Sequence, residues 1–138
     1  MRMMGHNVLA VIVAAIAIYA IEFLIFGVMI PGEQYMALTG LSAEQAASGM
    51  ERMPLGIIPP VLTAIGLSLV VKWRNAPGWM GGMMTGVMMA VLFAFSTSLY
   101  GYIYGPHETA YLPINLAHFL VCYGIAGAFR HARTHPAD

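Results

Sequence analysis

Charge is scarce in this sequence. Six lysines and arginines and six acidic residues are spread over 138 positions, so 9% of the chain is charged. A soluble domain carries about 25%, and the shortfall excludes an ordinary water-facing globular surface. The formal charges cancel at pH 7, which leaves no basic surface for nucleic acid. Cysteine is nearly missing as well. Cys122 stands alone inside an apolar stretch, so an intrachain disulfide is excluded and the redox compartment is not indicated. No long repeat and no low-complexity tail interrupt the chain. What is present is apolar: 59% of the residues are hydrophobic, with 15 glycines and 12 methionines. This is the composition of an integral membrane protein, and residues 1–138 have room for a single membrane domain.

Four apolar runs, at about 7–29, 55–71, 79–100 and 111–129, are expected to cross the bilayer as helices. The fold class is therefore an all-α bundle of four transmembrane helices. Ala15 and Ala17 form a small-x-small pair, but apolar sequence continues well past them, so the first run reads as an uncleaved span. Residues 31–53 are polar. Within them Ser42-Ala43-Glu44-Gln45 fits a capping box, with Leu41 placed for a hydrophobic staple, which predicts a short interfacial helix over about 43–52. Pro59 and Pro60 fall in the first turns of span two, where the missing donors cost little. Asn75-Ala76-Pro77-Gly78 is a turn, so spans two and three are read as an antiparallel hairpin.

Span three carries a small residue at every fourth position: Gly78, Gly82, Gly86, Ala90, Ala94 and Ser98. In lipid such a stripe lets a second backbone approach closely, held by van der Waals contact and Cα–H···O bonds. The stripe is expected to be a packing spine, and also a surface for homo-oligomer assembly or for a larger membrane partner. Tyr100, Tyr102, Tyr104 and Tyr111 surround the turn before span four, as in an aromatic belt at the headgroups.

Basic residues set the orientation. Arg2, Lys72, Arg74, Arg130 and Arg133 share one side of a four-span chain, and Arg52 alone lies on the other. The positive-inside rule puts both termini in the cytoplasm of a multi-pass protein of the inner membrane.

The end of span one and the loop after it, Pro31-Gly32-Glu33-Gln34-Tyr35-Met36-Ala37-Leu38-Thr39-Gly40-Leu41-Ser42, resembles a segment of a bacterial family catalogued as domain of unknown function 1761. The resemblance lies in an aromatic-Met-x-Leu-Thr/Ser-Gly stretch after the first of four spans. Ile114-Asn115 and His118 are similar more loosely. Tyr35 stands where the family favours tryptophan, and Ile25-Phe26 where a Trp-Tyr pair is common. The resemblance implies a four-span fold and brings no activity with it.

The chemistry rests on polar residues within the spans. At about 1.5 Å of rise per residue, Glu22 and His118 each lie about 11 Å below the extracytoplasmic ends of spans one and four. Thr63 falls at a similar depth, Thr97 lies nearer the outer face, Asn115 is one turn above His118, and Tyr19 neighbours Glu22. These six residues are the candidate ligand- or proton-binding set, in an outward-facing polar pocket above a tight apolar inner end. A mid-membrane carboxylate costs roughly 2.5–3.5 kcal/mol even on the lenient insertion scale, so Glu22 requires a partner or a cavity. The bland alternative is a structural Glu22–His118 bond that only locks the helices.

A haem would need a methionine as its second axial ligand beside His118. Met80, Met84 and Met88 suit Cu(I) by chemistry but have no histidine or cysteine cluster beside them. No metal and no cofactor is expected. Ser96, Thr97 and Ser98 lie in continuous helix and offer no catalytic nucleophile. The leading expectation is a small protein that binds or transports a small solute or ion. The alternative is a non-catalytic accessory subunit of a larger membrane complex, and an enzyme stands behind both.

Overall fold

A computed structural model of the chain describes residues 2–3 and 6–129. Four helical runs are long and apolar enough to cross a membrane: Val8–Met29, Met53–Trp73, Gly78–Ile103 and Tyr111–Phe129. A two-residue antiparallel pairing, Arg2–Met3 with His6–Asn7, precedes the first of them. The remaining regular structure of the described residues is helical, as expected. Arg130 and Arg133, which contribute to the expected orientation, lie outside the described residues.

Span one begins as α1 (Val8–Glu22) and continues in wider π-helical turns over Phe23–Met29. The Ile30 amide closes them on the Ile25 carbonyl at 3.0 Å, five residues back. The connector holds two helices where one was expected. The expected one is α3 (Ala43–Glu51), and its capping box is complete: the Gln45 amide donates to Ser42 Oγ and the Ser42 amide to Gln45 Oε1. The other is α2 (Gly32–Thr39), built from the residues that carry the family resemblance. A 3-10 turn, Met53–Ile57, leads into α4 (Ile58–Trp73), with Pro60 fully buried near its start. Span three is α5 (Gly78–Met89), a π-helical stretch Ala90–Phe95, and α6 (Ser96–Ile103). Span four is the uninterrupted α7 (Tyr111–Phe129).

α7 is the centre of the bundle and touches α1, α4 and α5. Lipid is as apolar as leucine, so close packing of small residues must hold these helices together. Ala14, Ala15 and Ile18 of α1 meet Ala64 and Leu67 of α4, with Cys122 and Ala126 of α7 between them. Large apolar side chains such as Ile16, Phe23, Leu62, Met84 and Leu92 point outward. The helices do not form a simple ring: α5 packs mainly on α7 and only lightly on α4. Arg74 at the end of α4 still ties the hairpin, donating from Nη1 to Thr85 Oγ1 at 2.8 Å.

The small-residue stripe makes the α5–α7 contact. A methyl on Gly82 would overlap the Gly127 carbonyl oxygen, one on Gly127 the Gly82 carbonyl oxygen, and one on Gly86 the Tyr123 carbonyl oxygen. Ala90 is completely buried. The spine is shorter than the sequence pattern. Gly78 has a left-handed φ of +62° with nothing near its missing Cβ, so it serves the turn rather than the packing. Ala94 and Ser98 are only half-buried, because the π-helical stretch adds about one residue to the turn and carries later positions around the axis. Gly82 and Gly86 face α7 within the chain, so the expected assembly surface is already occupied at its centre.

Candidate functional site

Glu22 is the last residue of α1, where the helix widens. That position turns its carboxylate toward α7. Glu22 Oε1 lies 3.5 Å from His118 Nε2, with the imidazole side chain 8% exposed and the carboxylate side chain 29% exposed. Neither His118 Nδ1 nor His118 Nε2 has a hydrogen-bond partner. A buried imidazole without hydrogen bonds carries a desolvation penalty, and the carboxylate beside it offers the nearest relief. Asn115, one turn along α7 from His118, is buried on the same side.

The other predicted members do not all join them. Thr97 is exposed on α6. Tyr19 is 40% exposed, and its ring borders Gly56 at the entry to span two. Thr63 is half-buried on α4. Among the described residues, no group of three or more His, Cys, Asp or Glu side chains could hold a metal ion. The end of the bundle expected to be tight contains a small cleft lined by Ala10, Val11, Ala14, Ala64, Ser68 and Ala126.

Sequence reasoning missed the aromatic cover. The Phe26 ring, in the widened turn of span one, packs edge-on against His118 at 5.1 Å between centroids and against Tyr35 at 5.8 Å. It also lies 6.3 Å from Tyr111. Tyr35 meets Tyr111 at 6.4 Å, and Tyr111 meets His107 at 5.1 Å. Ile30, Leu38 and Tyr111 form a second buried cluster at this end, with Ile25, Phe26, Tyr35 and Ile114 against it.

α2 is held over this cluster from several sides. The Glu108 amide donates to the Leu38 carbonyl at 2.8 Å, tying the connector to the turn before span four. Thr39 Oγ1 bonds back to the Tyr35 carbonyl at 2.7 Å. Gly40 ends α2 with a φ of +69°, against Pro106. The Tyr-Met-Ala-Leu-Thr-Gly stretch is thus a clamp that seats Tyr35 above Phe26. The signal was available in the motif itself, whose Tyr35, Leu38 and Gly40 are the residues that touch the rest of the bundle.

Four membrane-capable helices enclosing a facing carboxylate and imidazole define a multi-pass membrane protein with an embedded polar pair. The chain belongs to the family described as protein of unknown function (DUF1761), whose model matches residues 9–130 and so takes in nearly all of the four spans. No curated protein and no solved structure matches it.

Proposed function

We propose that this chain is a small protein of the bacterial inner membrane that binds a small ion or solute at Glu22 and His118 and passes it across the bilayer. Both termini lie in the cytoplasm on this reading, and α2 with the 104–110 turn lies outside. The observation that carries it is the pair itself: a carboxylate 3.5 Å from a buried imidazole whose ring nitrogens have no hydrogen bond. A pair built only to lock helices would gain by completing those bonds, whereas a binding pair keeps capacity in reserve. The homo-oligomer expectation and the accessory-subunit reading both drew on a free glycine face, and both lose that support, since Gly82 and Gly86 face α7.

A double-mutant cycle tests the pair. Glu22→Gln should leave a folded protein, because the amide keeps the shape. His118→Ala should lower the melting temperature more, because it strands a carboxylate. The double variant should recover part of that loss, with a coupling of about 1 kcal/mol. Strictly additive melting shifts would remove the site.

A further inference from the structure

We infer that the ligand of this pair is a proton, and that it reaches His118 from the α2 end of the bundle past Phe26, which acts as the gate. This rests on the Glu22–His118 reading and names its ligand and route.

The space around the imidazole decides the ligand class. Phe26 covers one side of the ring at 5.1 Å and Phe119 another at 5.0 Å between centroids. Glu22 stands in a third direction at 3.5 Å, its side chain 29% exposed. A solute would have to displace a ring, whereas a proton needs no volume. The pair has the capacity to take it: one proton leaves a hydronium ion in solvent and binds to the carboxylate–imidazole pair as a new O–H or N–H bond. No other bond changes.

The route follows from the ring contacts. His107 sits half-buried in the turn before α7. Its ring touches Tyr111, Tyr111 approaches Phe26, and Phe26 touches His118. Asn115 is buried on the same face of α7 between Tyr111 and His118. Protons can pass between His107, Tyr111 and His118 when water joins them, with Asn115 able to hydrogen-bond such water. Phe26 is the apolar member of this column and keeps water from its middle. Its backbone lies in the π-helical part of span one, a kind of irregular turn that is frequent at functional sites.

The groups facing His118 are few. Glu22 lies across from it, Cys122 lies one turn along α7, and Tyr35 and Tyr111 lie beyond Phe26. The buried residues of α4, Pro60, Ala64, Leu67, Ser68 and Val71, bring no charge.

The test is an acid jump on the purified full chain in detergent, followed by stopped-flow infrared difference spectroscopy. Signals belonging to the pair are assigned by their loss in Glu22→Gln and in His118→Gln. In the unaltered protein these signals should rise slowly. Phe26→Ala should speed them by about tenfold, the barrier set by a dry apolar plug being removed. Phe93→Ala should leave the rate unchanged, since Phe93 points outward from span three at 60% exposed. If circular dichroism shows Phe26→Ala unfolded, Phe26→Leu takes its place and should give an intermediate rate. Equal rates with and without the Phe26 ring, or equal acceleration by Phe93→Ala, would overturn the gate. Absence of any pair signal would overturn the proton as ligand. Either failure is separate from an additive melting cycle, which would remove the pair itself.

Discussion

Gly40 shows how much one residue can set. Its φ of +69° is a conformation that side-chain-bearing residues adopt at a cost of about 1–2 kcal/mol. A Cβ there would also run into the Pro106 side chain. Gly40→Ala should therefore loosen α2 from the 104–110 turn and lower the melting temperature, with faster hydrogen exchange at the Glu108 amide. An unchanged Glu108 amide would show that α2 is not held from this point. At this same scale the sequence was legible in depth and illegible in azimuth. Span ends are marked by turns and aromatic residues, so a fixed rise per residue placed Glu22 and His118 at one level, and the structure brings them within 3.5 Å. Tyr19 lies close to that depth but points elsewhere, and Thr97, nearer the outer face, is exposed. Widened turns after Glu22 and Met89 rotate the later positions of each span about its axis, and nothing in the apolar sequence around them marks those turns.

Among the elements, α5 and α7 form the closest pair. Glycines on both helices bring one backbone against the carbonyls of the other, so even a methyl cannot enter without moving a helix. Gly86→Leu should lower the melting temperature by an amount matching about 1–3 kcal/mol or more of overpacking. Met84→Leu, on the outward face at 47% exposed, should change it little. Equal effects from the two would mean that α5 does not meet α7 through its glycines. The stripe was readable because a period of four survives in an apolar background. Its partner was not, since Gly124 and Gly127 of α7 are three residues apart and fit no long pattern. α2 escaped for a different reason. It is eight residues long between Pro31 and Gly40, too short and too punctuated to form by propensity alone. Burial of Leu38 and the ring contacts of Tyr35 hold it.

For the molecule as a whole, the four-span layout was legible from composition and run length, because the hydrocarbon core sets a length that sequence must meet. The neighbour relations were not legible, because every span presents apolar side chains on all sides and lipid and protein neighbours ask for the same residues. Topology remains readable by experiment. On the positive-inside rule, reporters fused after residue 129 and placed in the 74–77 turn should both be cytoplasmic, and one placed at Glu44 should be outside. A cytoplasmic reporter at Glu44, with the other two outside, would reverse the proposed direction from which the pair is reached.

The central place of α7 carries a consequence for biosynthesis. Ribosomes deliver the chain in order, so the three earlier spans enter the bilayer before the helix that all of them touch. Until residues 111–129 arrive, Glu22 has no imidazole opposite it and the faces of Gly82 and Gly86 have no backbone against them. A nascent chain at that stage carries a lone intramembrane carboxylate, which costs roughly 2.5–3.5 kcal/mol on the insertion scale. Before α7 arrives, α1 can meet α4 and Arg74 can tie α4 to α5, but α5 lacks the helix it packs on most. Closure of the bundle is then a late event that depends on the arrival of a single helix.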